Sequence, residues 1–233
     1  MTNKPIVSVL TPSYNKSLYV LDAIKSVVNQ SLKSFEYFVI DNSTDESTRN
    51  LVSSYIKELN DDRVKLFIED YSKEEREKYY IPSRIINKYY DMMNGEYVFY
   101  LSDDDIVDSE CFEIMSNFLK EIDCDICSCW LSRERWRNGE KVQHSGDIVP
   151  GRIISIGESV DCVYDGGQIM HRLSCLKEID KPYYPEIRDG SNHHCDGLFL
   201  NKLTKKYQIY NVKTDKPLVV HRHTESSLWT SYR

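Results

Sequence analysis

Three adjacent carboxylates, Asp103, Asp104 and Asp105, follow the apolar run "YVFYL" at residues 97–101. Like charges this close repel unless water or a cation offsets them. A hard divalent ion, Mg²⁺ or Mn²⁺, takes oxygen ligands of this kind and often completes its shell with water and substrate phosphates. The triplet therefore suits a cation that bridges the protein to a diphosphate. Two other polar stretches also follow apolar runs: "TPSYNK" (residues 11–16) and "DNSTD" (residues 41–45). The plain alternative is a solvated acidic turn, with Asp108 or Ser109 capping a helix that starts near Cys111. Neither GxxxxGK[ST] nor GxGxxG occurs, so no phosphate-cradling loop is evident and an ion would carry much of the neutralisation.

These residues need elements to hold them. "IVSVL" (residues 6–10) reads as a buried strand, and "YFVI" (37–40), "VKLFI" (64–68) and "YVFYL" (97–101) read as the strands that follow. Between them, Leu21, Ile24, Val27 and Val28 repeat at helical steps, as do Leu51, Val52, Tyr55, Ile56 and Leu59. Ser43 and Glu46 have the spacing of a capping box for the second of these helices. Residues 69–80 are charged and tyrosine-rich without a period, which predicts a mobile loop. A helix is expected over residues 83–93, ended by Gly95, and another with Phe112, Met115, Phe118, Leu119 and Ile122 on one side. Strands alternating with amphipathic helices predict an α/β fold, with a mostly parallel sheet covered on both faces. In such sheets ligands bind beyond the carboxyl ends of the strands, where all three polar stretches fall. After residue 123 the alternation weakens into short strands, "DICSCWL", "RIISI" and "PLVV", with one more helix.

Composition narrows the function. At 233 residues, 40% hydrophobic and 29% charged, the chain suits one large soluble domain with a real core. A formal charge of −7 argues against general nucleic-acid binding. No signal peptide is read at the N-terminus, and no run of about 18 uncharged apolar residues could span a membrane. Seven cysteines lack the second ligand pair a zinc site needs and read as reduced and buried in a cytoplasmic protein.

The stretches "VSVLTPSYNKSLYVLDAIKSVVNQSLKSFEYFVIDNSTDEST" and "NGEYVFYLSDDDIVD" resemble the family 2 glycosyltransferases of the GT-A fold, particularly the spore-coat polysaccharide type. The likeness is strong over residues 5–108 and returns more loosely in "IMHRLSCLKEI" (169–179) and "CDGLFLNKL" (195–203). It implies a single GT-A domain over residues 1–233, with residues 1–108 binding a nucleotide sugar and 109–233 binding an acceptor. Thr11, Tyr14, Asn15 and Lys16 fall where the family meets the nucleotide, and Asp41 where it meets the base, usually uracil or thymine. Asp103 and Asp104 match the acidic pair, one near the ribose and one on the metal, and Asp105 extends it, so Asp104 and Asp105 are the expected metal ligands. Asp196 falls at the catalytic base. The sequence departs from the pattern in three ways. The glycine usual in "DDGSTD" is missing from "DNSTD", Cys195 replaces an acidic neighbour of the base, and the phosphate-contacting arginine has only Arg84 and Arg76 as candidates.

The resemblance implies inverting transfer from a UDP- or dTDP-sugar to a hydroxyl of a glycan or glycolipid acceptor, with Mn²⁺ or Mg²⁺ assisting departure of the diphosphate. Surface polysaccharide assembly on the cytoplasmic side, with at most peripheral membrane contact, is the expected setting. Asp189 and Glu186 are alternative bases, or a charged loop. His171, His193, His194, His221 and His223 could serve acceptor, metal or donor, or be structural; Tyr79, Tyr80, Trp130, Trp136 and Trp229 could stack on rings or pack. An inactive nucleotide-binding module on the same fold is the competing reading. A nucleotidyltransferase would want a glycine-rich basic loop, and a glycosidase a separated acid and base.

Overall fold

The computed structural model describes residues 4–142, 147–160, 163–188 and 195–225. In its first half, strands and helices alternate as the apolar pattern requires: β1 (Val7–Ser13), α1 (Val20–Val28), β2 (Phe35–Asp41), α2 (Glu46–Leu59), β3 (Val64–Ile68), α3 (Lys73–Lys78), α4 (Ile81–Tyr89) and β4 (Tyr97–Tyr100). There follow β5 (Ile106–Val107), α5 (Cys111–Glu121), β6 (Ile126–Ser128), β7 (Leu131–Arg137), β8 (Glu140–Lys141), β9 (Asp147–Val149), β10 (Ile169–Arg172), α6 (Cys195–Thr204), β11 (Ile209–Asn211) and β12 (Val219–His223).

The main sheet runs β11-β6-β10-β4-β1-β2-β3 and is parallel except for β10, which lies antiparallel between β4 and β6. Alternate residues of its central strands feed two cores. Val7, Val9, Tyr37, Val39 and Phe99 meet α1, α2 and α5 on one face. Leu10, Phe38, Ile40, Val98 and Tyr100 meet α4 and α6 on the other. Burial on both faces explains the unbroken apolar runs. The α/β architecture with a mostly parallel sheet agrees with the expectation. A second sheet, β5-β12-β7-β8 with β9 on β7, was not foreseen as a separate layer. "DICSCWL" divides between the two sheets at Cys129–Trp130, whereas "RIISI" contributes only a bridge at Ile154.

Several local expectations are corrected. Residues 69–80 are not a structureless loop: α3 forms within them, with a capping box between Ser72 and Glu75 and no buried residue, so it carries no apolar period to read. The cap of α2 is Asp45, which accepts from the Thr48 N–H at 2.7 Å, not Ser43. α4 starts at Ile81, with a proline in its first positions, and passes into a short 3₁₀ turn at Tyr90–Met92. Gly95 lies beyond that turn and has another purpose, because a Cβ there would stand 2.5 Å from the Ser8 nitrogen. For α5, neither Ser109 nor Asp108 provides the cap; Gln30 Oε1 accepts from the Phe112 N–H at 3.0 Å, from 82 residues away. The six described cysteines are buried and unbridged.

Candidate active site

β1 ends in a turn that places the "TPSYN" residues individually. Thr11 is fully buried and its hydroxyl accepts from Tyr37 at 3.0 Å, so it lines the floor rather than the surface. Asn15 adopts a left-handed backbone (φ 52°), which asparagine tolerates better than most residues. Its amide joins the turn after β2, giving a bond to Thr44 Oγ1 at 3.0 Å and taking one from the Thr44 N–H at 2.9 Å. Its own N–H donates to Ser43 Oγ. The Tyr14 N–H donates to Asp103 Oδ2 at 2.7 Å, which draws the ends of β1 and β4 together. Asp41 is fully buried: Oδ1 accepts from the Ser43 N–H at 3.0 Å, while Oδ2 has no partner among the described residues. A buried acceptor without a donor costs about 1–3 kcal/mol.

The three aspartates point to three different partners. Asp103 rests on the Tyr14 N–H, and burial together with the adjacent charge of Asp104 pushes its pKa up to about 8. Asp104 Oδ2 accepts from Lys16 Nζ at 2.5 Å and from Thr224 Oγ1 at 3.1 Å. Lys16 also donates to Thr224. Asp105 turns toward β12, with the Arg222 N–H at 2.9 Å on Oδ1 and His221 Nδ1 at 3.0 Å on Oδ2. Burial raises the Asp105 pKa. For His221, burial alone would lower the pKa, but Asp105, Asp165 and Asp104 outweigh it and carry it to about 10. Its Nε2 is buried and unpartnered among the described residues.

Arg222 locks this corner. Fully buried, it donates to the Asp104 carbonyl through Nε, to Asp22 Oδ2 at 2.9 Å and to the Tyr19 carbonyl at 3.2 Å. Tyr19 and Trp136 flank its guanidinium at 5.2 and 5.0 Å. Sequence reasoning missed Arg222 and Thr224, which lie 118 and 120 residues from Asp104 in the chain. No local motif marks them.

Arg76, on α3, binds both the side chain and the carbonyl of Asn42, at 2.8 and 2.6 Å, and stacks on the Tyr14 ring. Arg84, on α4, is held instead by Glu75 at 3.1 Å and by Tyr79. Both arginines lie over the Tyr71 ring, at 5.8 and 5.6 Å from its centre. Arg84 borders a cleft of about 740 Å³ together with Tyr71, Asn87 and Glu186, none of them from the acidic turn. Glu186 is thus part of an ion network with Arg84 at 3.8 Å.

Asp196 stands in the first turn of α6, partly exposed. Its Oδ2 accepts from the Gly166 N–H at 3.0 Å. Burial, then the charge of Asp165, push its pKa up to about 6. It also feels Asp105 and His221, so it shares one electrostatic environment with the acidic corner. His171 is fully buried between Tyr100 and the Arg172 carbonyl, and burial lowers its pKa to about 4, a neutral core residue. Trp136 packs on Arg222, while Asp189, His193, His194 and Trp229 lie outside the described residues.

Among the described residues no group of three or more His, Cys, Asp and Glu side chains is poised on one metal position. A divalent ion held by one or two carboxylates and completed by phosphates needs no such cage. The hard oxygens of Asp103 and Asp104 and the raised pKa of Asp103 fit such an ion. Both oxygens of Asp105 already accept protein hydrogen bonds, which suits a strut better than a ligand.

A sequence model described as Glycosyl transferase family 2 matches residues 8–177. A Campylobacter jejuni GalNAc(5)-diNAcBac-PP-undecaprenol beta-1,3-glucosyltransferase is 34% identical over 101 residues, 43% of this chain and 30% of that protein. The poly(ribitol-phosphate) beta-N-acetylglucosaminyltransferase TarP of Staphylococcus aureus is 26% identical over 217 residues, 90% of this chain and 60% of that one. The crystal structure of S. aureus TarS 1-349 with UDP-GlcNAc superposes with a TM-score of 0.70 at 18% identity, covering 97% of this chain and 61% of that one, a likeness of fold. The chain spans less than two thirds of the length of each of these relatives. With the family model matching well over half of its length, the chain belongs to the family 2 glycosyltransferases.

Proposed function

We propose that the chain transfers a sugar from a UDP- or dTDP-sugar to a hydroxyl of a surface glycan or glycolipid, with inversion at the anomeric carbon. The supporting observation is the pair formed by the unpartnered buried Asp41 Oδ2 beyond β2 and the acidic turn beyond β4. One complements an imide N–H of uracil or thymine; the other lies where a diphosphate would follow. Relatives whose names give a polyprenyl-diphosphate glycan and a poly(ribitol phosphate) as acceptors support a cell-surface setting. Residues 1–108 would form the donor half and 109–233 the acceptor half. No helix among the described residues is long and apolar enough to cross a membrane.

Asp41, Tyr14, Asn15 and Arg76 bind and orient the nucleoside, with Thr11 beneath them. Asp103 and Asp104 would hold Mn²⁺ or Mg²⁺, which supplies Lewis-acid stabilisation of the charge on the departing diphosphate. Lys16 holds the Asp104 carboxylate in place. An acceptor hydroxyl is a poor nucleophile at neutral pH; Asp196 takes its proton as the new C–O bond forms and the bond to the phosphate oxygen breaks on the opposite face. A carboxylate with a pKa near 6 is ionised at neutral pH and still basic enough for that step. Calorimetry of UDP with Mn²⁺ tests the reading, with binding to the native chain and loss of the metal-dependent part in Asp104→Ala as the expected result. Unchanged affinity in the variant would remove the acidic corner from the donor site.

A further inference from the structure

Asp196 is held from outside its own helix. The Gly166 N–H reaches Oδ2 at 3.0 Å, and a Cβ on residue 166 would stand 3.2–3.3 Å from the carboxylate. A side chain there would press the acid back by a few tenths of an ångström. The preceding residue, Asp165, caps the same 3₁₀ turn: its side chain accepts from the Gln168 N–H, and its own N–H donates to Gln168 Oε1 at 3.2 Å. Asp165 also pairs with Arg133, whose Nη2 donates to Oδ2 at 3.2 Å. Arg133 belongs to β7 and lies in register with His221 on β12, the residue that holds Asp105. One strand pair thus reaches both carboxylates.

We propose that the Arg133–Asp165 ion pair and the Gly166 N–H form a positioning device that fixes the Asp196 carboxylate and sets the net charge it faces. This deepens the reading of Asp196 as the base and rests on that reading for its consequence in turnover. The groups facing Asp196 are Asp165 and the Gly166 N–H from the turn, His221 from β12, Asp105 after β4, Tyr100 from β4, Tyr90 after α4, Tyr184, and Cys195 on its own helix. Burial raises its pKa most and Asp165 next. Asp165 acts on it more strongly than Asp105, and its counterion Arg133 is 40% exposed, so that ion pair is the adjustable part. Without Arg133, the charge of Asp165 acts on Asp196 in full and favours its protonated form. Without the charge of Asp165, the ionised form is favoured.

The test follows the carboxyl ¹³C signal of Asp196 against pH in ¹³C-aspartate-labelled protein, assigned by its absence in Asp196→Asn. Arg133→Met should raise the Asp196 pKa and Asp165→Asn should lower it, each by on the order of half a unit to one unit. Asparagine can keep the cap, and the Arg133 side chain is 40% exposed, so both variants preserve the fold. Gly166→Ala, which presses the acid a few tenths of an ångström away from its donor, should raise the value as well. Shifts below about 0.2 units in all three variants, or the same sign for Arg133→Met and Asp165→Asn, would overturn the proposal. Because the titration needs neither donor nor acceptor, its failure leaves the turnover test of Asp196 standing on its own.

Discussion

Replacing Arg222 with methionine isolates what the C-terminal strand contributes to the acidic corner. The guanidinium donates to two carbonyls, of Asp104 and Tyr19, and to Asp22. The Tyr19 carbonyl keeps helical bonds from Asp22 and Ala23, and Asp22 is 48% exposed and can rehydrate. The Asp104 carbonyl loses its bond from Nε, at about 1–3 kcal/mol. Loss of the stack between Tyr19 and Trp136 adds about 1 kcal/mol. Methionine keeps most of the apolar volume, and removing a buried charge returns part of its desolvation cost, so these terms do not all add. A net loss of about 2–4 kcal/mol follows, and a melting temperature lower by roughly 5–15 °C. Urea unfolding at neutral pH measures it. Asp22→Asn, which removes only the half-exposed partner, should cost under about 1 kcal/mol. The reasoning fails if Arg222→Met unfolds within about 0.5 kcal/mol of the parent, or if Asp22→Asn costs as much, since the energy would then lie in the surface pair.

Asp196→Asn should leave UDP affinity unchanged and slow release of UDP from a UDP-sugar by on the order of 10²-fold or more; a variant at full rate would remove Asp196 as the base. With a pKa near 6, the parent rate should halve near pH 6 and fall about tenfold per unit below that, because only the ionised acid accepts the proton. Asp41→Asn should weaken UDP binding roughly 10- to 100-fold by calorimetry, the cost of a buried acceptor lost to its donor; an unchanged constant would exclude Asp41 from the base pocket. His171, buried with its pKa lowered to about 4, binds its proton less readily folded than unfolded. Its contribution to stability is therefore complete above the unfolded pKa and lost as pH falls through the window down to about 4, for a change of about 3 kcal/mol. Urea midpoints at pH 7 and pH 4.5 should diverge less in His171→Gln, and equal divergence would contradict the buried neutral state.

The central strands are legible because burial on both faces writes itself into sequence as apolar runs, whereas β3, at the sheet edge and only partly buried, shows at Val64–Ile68 through its β-branched and aromatic residues. Where the stabilising partner is distant, the signal vanishes. Nothing near Phe112 announces that Gln30 caps its helix, and nothing near Asp105 announces His221 and Arg222. The opposite failure occurred at α3, whose exposed helix is held by a local capping box that was present in the sequence as Ser72 and Glu75. Strand-end clusters were recognised as a group because parallel topology alone brings them to one edge. The reach of Arg76 to Asn42, against the pairing of Arg84 with Glu75, depends on side-chain placement that periodicity does not encode.

The charges around the site sort its carboxylates into two kinds. Asp104 has Lys16, Asp105 has His221 and Asp165 has Arg133. Asp103 and Asp196 have no ion-pair partner among the described residues, and each rests on a single backbone N–H, of Tyr14 and of Gly166. An N–H orients a carboxylate but supplies only a partial charge, so desolvation dominates and both pKa values rise, to about 8 and about 6. A carboxylate already paired with lysine or arginine has little basicity left for a proton, whereas the two held by backbone alone retain it. The proposed roles need one acid that welcomes added positive charge beside the donor and another that accepts a proton from the acceptor. In the proposed scheme Asp103 shares the ion with Asp104, whose carboxylate Lys16 holds in place, and Asp196 alone accepts the proton.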